Sequence, residues 1–313
     1  MLDWFAEHLD ADSIRVQAPS AVVFLCGGEK SDIGVPIPLS LRDAFLKIAN
    51  NPAMQDRHVV LAEDINVFYL SRADYRDLLA FETDLAQICE LIILFSESEG
   101  SHAELGAFSM VDEISERLLV ILRDRHYEDE SFIKLGPLLS LQNKYGEGVV
   151  YVLDDQDIGM NGNSARDVRI DVVRDRLQAP IVRRLSQIRD PSTFNSEKSG
   201  HVIKLIVALI QEFGALTIAE IEILLISAGV LKSQAEISGY LLCAEVVEWV
   251  VPLTKGARRY FFARPTGDAA QLRLRAEAGD RDKNRRRILI RKYWEENDPD
   301  RYRGIVQVSG VNP

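Results

Sequence analysis

Apolar residues in this chain fall into two kinds of run. Ala21 to Leu25 (AVVFL), Val59 to Leu61, Leu91 to Phe95, Leu118 to Leu122 and Val149 to Leu153 are short and continuous, the pattern of strands buried on both faces. Between them the spacing turns helical. Pro38 to Ala49 has helical periodicity, and Tyr75 to Glu90 places Leu78, Leu79, Leu85 and Ile88 on one face. Ser101 to about Arg117 reads as a helix, as does the SFIKLGPLLSLQNKYG stretch before the fifth strand. Strands alternating with helices predict an α/β fold built on a doubly wound parallel sheet.

After a charged amphipathic helix over Asp167 to Ile188, the polar stretch Arg189 to Gly200 (RDPSTFNSEKSG) reads as a linker, and the pattern beyond it changes. Val202 to Phe213, Ile218 to Ala228 and Ser233 to Val246 predict three helices, the third capped by Ser233. VEWVVPL, a TKGA turn and RRYFFA then predict a β-hairpin. Three helices and a hairpin make a winged helix-turn-helix. The expected organisation is a catalytic domain over 1–190, the winged helix over 200–265 and a basic, aromatic tail over 266–313.

Charge modifies this picture. A net charge of −11 argues against a general nucleic-acid binder, because phosphate contact needs local positive charge. The third helix carries Glu236 and Glu245 and no Lys or Arg, unlike a helix that reads bases. Contact with nucleic acid or a partner is expected instead from Lys255, Arg258 and Arg259 on the wing and from Arg285, Arg286 and Arg287 in the tail, a run that begins at Arg281. A docking role for this domain is preferred over operator binding. Cys26, Cys89 and Cys243 are widely spaced, and neither they nor the five histidines form a metal signature; no metal is expected. No apolar run reaches membrane-spanning length and the start lacks a signal-peptide pattern, so a cytoplasmic protein is expected.

Candidate chemistry gathers where the strands end. In an open parallel sheet, ligands bind outside the carboxyl ends of the strands. Those ends carry Gly27 and Gly28, then Glu63 and Asp64, then the Ser96 to Gly100 loop with Glu97 and Glu99, followed by Ser101 and Glu104. The Ser101–Glu104 spacing also fits a capping box, which would make Glu104 a purely structural residue. The Walker lysine and the GxGxxG fingerprint are absent. Clustered carboxylates suit a cationic transition state, and cleavage of an N-glycosidic bond passes through one at the anomeric carbon.

The blocks FLCGG and FETDLAQICELIILFSESEGSHAELGAFS resemble, in order and spacing, the nucleoside 2-deoxyribosyltransferase fold, a flavodoxin-like sheet. More closely, the chain resembles the nucleoside deoxyribosyltransferase-like effectors of bacterial retron defence systems, which end in a winged-helix domain. The motif match covers roughly Val22 to Leu141. The resemblance implies Glu104 as nucleophile, Glu82 as the helix acid that contacts the base or supplies a proton, Glu97 as the sugar-binding acid, and Phe24 to Gly28, with Phe24 and Cys26 among the substrate-binding residues, as the first-strand loop. Glutamates replace the aspartates common at the helix-acid and sugar-binding positions, and Phe24 stands near a position where the transferases offer a tyrosine. These departures favour hydrolysis over transfer between bases. The resemblance further implies a self-assembling toxin that consumes a nucleotide, NAD being favoured as substrate, restrained by a reverse transcriptase bound to its branched RNA–DNA product, msDNA. Nicotinamide leaves NAD without needing protonation, so a carboxylate-rich site suffices and no cofactor is expected. The alternative is a nucleotide-sensing binding protein coupled to a winged-helix DNA-binding regulator.

Overall fold

A computed structural model describes residues 1–18, 21–32, 34–49, 51–64, 75, 77–128, 130–187, 190–279 and 282–310. Ile188, Arg189 and Arg281, named in the expectations above, lie outside these. The chain forms two compact units, each assembled from separate segments: Pro19–Ile65 with Cys89–Ile188, and Met1–Ala18 with Asn66–Ile88 and Arg189–Pro313.

The first unit holds a five-stranded sheet with strands β1 (Val22–Cys26), β2 (His58–Leu61), β3 (Leu91–Phe95), β4 (Leu118–Arg123) and β5 (Val150–Leu153). The order is β2-β1-β3-β4-β5 and every neighbouring pair is parallel. Continuous apolar runs form these strands because both faces are covered. β1, β3 and β4 are buried at every position. On one face, helices α1 (Leu41–Leu46) and α3 (Ile170–Leu185) bring Leu41, Phe45, Val173, Leu177 and Ile181 onto Val23, Leu25, Ile93, Phe95 and Ile121. Helix α2 (Glu99–Ser109) follows β3, and its Phe108 ring lies 6.3 Å from Phe24. The α/β fold with a parallel sheet flanked by helices is thus present, with several helices shorter than their periodicity suggested.

One correction bears on the site. Ser98, not Ser101, caps α2: its Oγ accepts from the Ser101 N–H at 3.2 Å, and Ser101 closes the box from the N3 position. The local competition between two serines with the same spacing is won upstream, so Glu104 is not a capping residue.

The second unit contains helices α4 (Ser199–Phe213), α5 (Ile218–Ser227) and α6 (Gln234–Val246), with strands β6 (Ala215–Leu216), β7 (Val250–Lys255) and β8 (Arg258–Ala263) in the order β6-β8-β7. Ser233 caps α6 in a reciprocal box with Glu236. Within the predicted linker, Ser192–Thr193 pairs with Arg15–Val16, whose other edge pairs with Ala270–Gln271. The tail folds as helices α7 (Lys283–Asn297) and α8 (Pro299–Ser309). The Trp294 indole N–H donates to the Phe213 carbonyl at 3.0 Å, tying α7 to α4. No helix among the described residues is long and apolar enough to cross a membrane.

Candidate active site

In the order β2-β1-β3-β4-β5, the chain leaves β1 toward one edge and β3 toward the other, so the loops after β1 and β3 part and leave a crevice at their switch point. Gly27–Gly28 open the first of those loops and Ser96–Ser98 form the second. They are tied together at the base by Glu97. Its Oε1 accepts from the Gly28 N–H at 3.1 Å and the Arg42 N–H at 3.0 Å, and its Oε2 accepts from the Leu41 N–H at 2.8 Å. Both glycines are required by this closeness. A Cβ on Gly27 would lie 2.8 Å from the Phe95 Cβ, and one on Gly28 would lie 2.7 Å from the Ser40 Cβ. Ser101, buried in the same turn, accepts through Oγ from the N–H groups of Glu97 at 3.0 Å and Ser98 at 2.8 Å.

Above this brace sits an ion pair absent from the sequence expectations. Arg42 is wholly buried and directs both terminal nitrogens to Glu63, with Nη1 at 2.9 Å from Oε2. Its Nε is buried without a hydrogen-bond partner. The Ser40 side chain caps α1 and so fixes where Arg42 departs from the helix.

Glu104 lies in the second turn of α2. Its Oε2 is buried and no side chain or backbone group satisfies it. Burial pushes its carboxyl up to about 7, opposed by the Arg42 guanidinium and reinforced by the Glu63 carboxylate. A carboxyl with an unused, desolvated oxygen, poised near neutrality at a switch point, has the properties of a functional group held ready for a ligand. Farther along the same carboxyl edge, the ring of His102 lies 6.2 Å from that of His126, whose pKa is lowered by burial and by Arg125. Arg123, buried beside them at the end of β4, holds Asp155 through two 2.5 Å bonds.

The structure therefore brings Gly27, Gly28, Ser96, Glu97, Ser101 and, through Arg42, Glu63 and Glu104 to one end of the sheet. Asp64 points to Lys30 at 3.5 Å and is half exposed. A Cβ on Gly100 would meet the Ser98 Oγ at 4.0 Å, an ordinary contact. Two ligand-binding expectations are corrected: Phe24 and Cys26 are fully buried inside β1, with Phe24 paired between Val60 and Ile92, so neither reaches the crevice. The strand simply ends one residue later than its apolar run suggested. Glu82 lies on the helix Leu78–Ala86, which belongs to the other compact unit, and is buried there.

Of the basic residues expected to reach a partner, Arg258, Arg259 and Arg285 are exposed. Lys255 donates to Gln307 on α8 at 2.7 Å. Arg286 is a correction: it is buried and bonds Glu212 at 2.7 Å, and Arg287 approaches the same carboxylate at 3.4 Å. These two hold α7 to α4.

The fold and its site define an α/β protein with a five-stranded parallel sheet flanked by helices and a carboxylate-centred crevice. Residues 38–252, more than two-thirds of the chain, match the family described as STM3845 retron effector protein, and the chain belongs to that family. It is also similar to two Escherichia coli proteins. The "Retron Ec73 putative ribosyltransferase/DNA-binding protein" is 31% identical over 134 residues, covering 41% of this chain and 40% of the relative. The Retron Ec86 protein of the same description is 28% identical over 139 residues, covering 41% and 39%. The match thus spans about two-fifths of those relatives.

Proposed function

We propose that this retron effector cleaves the N-glycosidic bond of a nucleotide, with NAD the favoured substrate, and that it serves as the toxic component of an anti-phage system restrained by a reverse transcriptase–msDNA complex. The observation that carries the reading is Glu104, with its buried, unsatisfied Oε2 and its carboxyl raised to about 7 at the switch point. A cationic ligand favours the ionised form of such a group. The nicotinamide ribosyl end of NAD supplies that charge. Glu104 then forms a bond to C1′ as the C1′–N bond breaks, and the bonding pair leaves with neutral nicotinamide. Water adds to C1′ next, releasing ADP-ribose, a proton and the free carboxylate. The relatives' designation as ribosyltransferases supports chemistry at a ribosyl carbon.

The test is nucleotide content by mass spectrometry in cells expressing the chain beside a Glu104→Gln control. Loss of NAD with gain of ADP-ribose and nicotinamide is expected only with Glu104 intact. Equal loss with both chains, folded to the same extent, refutes the nucleophile. The second reading, a nucleotide-sensing protein coupled to a winged-helix DNA-binding module, is favoured by the α4–α6 helices with their β7–β8 hairpin and by the DNA-binding part of the relatives' names. It predicts saturable nucleotide binding without turnover.

A further inference from the structure

Two places in the crevice that could grip an anion are already filled by the chain's own carboxylates. One is a trio of backbone donors, Gly28, Leu41 and Arg42, converging on Glu97 at 3.1, 2.8 and 3.0 Å. The other is the buried guanidinium of Arg42, whose terminal nitrogens are both spent on Glu63. In doubly wound folds, the loop after the first strand and the start of the next helix are where a ligand phosphate is commonly held. Here α1 runs only six residues, so the anion is held by the three N–H bonds rather than by a helix field. A Cβ on Gly28 would come within 3.0 Å of the Glu97 Oε1, which leaves no ligand-sized gap between loop and carboxylate. An ionised carboxylate has about four acceptor positions, and the backbone takes three of those on Glu97.

We propose that Glu97 is a specificity-determining residue whose carboxylate occupies the place of a ligand phosphate, so that the crevice receives the nucleoside end of its ligand and gives phosphate no seat beside β1. The inference deepens the reading of this crevice as a nucleotide-cleaving site and rests on it. Glu97 then acts by position, closing the first loop and fixing the backbone of Arg42 below Glu104, in place of the sugar-gripping role the resemblance implied. Glu63 does the same at the guanidinium. The substrate's phosphates lie away from this loop.

The experiment is thermal unfolding of the full chain and its Glu97→Ala variant, in chloride and in inorganic phosphate at equal ionic strength. Removing the carboxylate exposes three converging donors. Phosphate should bind them and restore stability, which a general packing defect would not allow. Because phosphate also stabilises proteins by exclusion, the wild-type response is subtracted. The expected result is a Tm gain in phosphate of about 5 °C for Glu97→Ala beyond the wild-type gain. Glu97→Gln, which keeps the seat filled with a neutral amide, should lose stability and show no such gain. Equal phosphate responses in wild type and Glu97→Ala overturn the proposal. Should Glu97→Ala not fold in chloride, the yield of folded protein on refolding into phosphate against chloride decides in the same way, equal yields overturning it. Neither readout involves turnover, so a failed nucleotide assay refutes the hydrolase without touching this result.

Discussion

A single buried oxygen on Glu104 governs the chemistry available here, and it also leaves a mark on stability. Its folded pKa of about 7 lies above the ordinary value of 4.5, so the folded state holds this proton more tightly than the unfolded chain does. Stability from that proton is complete below pH 4.5 and is lost as pH rises through 7. The loss amounts to at most about 3 kcal/mol. Glu104→Gln should therefore flatten the pH dependence of Tm between those limits and be more stable than the wild type at pH 8 (about that pH marking full ionisation), as calorimetry would show. If Glu104 is the nucleophile, kcat/KM for NAD in the wild type should rise with pH across the same interval, since the ionised form attacks. A flat rate profile over a titrating Glu104 would disconnect the carboxyl from the reaction. At Gly27, a methyl group would meet the Phe95 Cβ at 2.8 Å on a backbone with φ +151°. Gly27→Ala should cost about 1–3 kcal/mol in chemical denaturation, since the neighbouring atoms belong to Phe95 of a packed strand and to the buried Arg42 of α1.

Elements show where residue patterns suffice and where they stop. The five parallel strands were legible because a strand covered on both faces must be apolar along its buried length, and β1, β3 and β4 up to its terminal Arg123 are. Which residue of such a run leaves the sheet was not legible, since no period distinguishes Phe24 inside β1 from Gly27 beyond it. Ser98 and Ser101 each begin a plausible cap, and only the path of the chain out of β3 decides between them. Arg42 gave no motif at all; the available signal was its place two residues after a capping serine, on the helix that follows the first strand. The tail is more instructive. Arg286, Ile290 and Trp294 are all buried and recur every four residues, so one arginine of the triple run shares the apolar face of α7. Its partner Glu212 is buried too. Arg286→Met alone should destabilise the chain by about 3 kcal/mol, because it leaves that buried carboxylate with the longer 3.4 Å approach of Arg287, while Arg286→Met with Glu212→Leu should recover most of the loss. Denaturation midpoints of the single and double variants test this, and an additive pair would deny the coupling.

At the scale of the whole molecule, the linear order of the sequence and the order of the folded units differ. Residues 1–18 and 66–88 group with the C-terminal segment, while the sheet of the other unit is assembled from the stretches between. A linear reading places boundaries at composition shifts, and composition does not record which segment returns to which. The strand Arg15–Val16 lies between Ser192–Thr193 and Ala270–Gln271, both far downstream. A chain ended at residue 190 lacks both neighbours (190 being the expected domain limit). Hydrogen exchange in that fragment should show amides 2–18 (the described N-terminal stretch) exchanging freely while the β1–β5 amides stay protected. Protection throughout would mean the N-terminal segment folds by itself.

That middle strand also sets a clock on biosynthesis. A ribosome adds roughly 5–20 residues each second, so the first hairpin-sized piece of the protein waits many seconds for the strand that will flank it. Until Gln271 has cleared the exit tunnel, the N-terminal segment has one edge open and cannot be sealed. The unit that holds this strand therefore closes late, once the segments on both sides of the sheet-bearing stretches are present together.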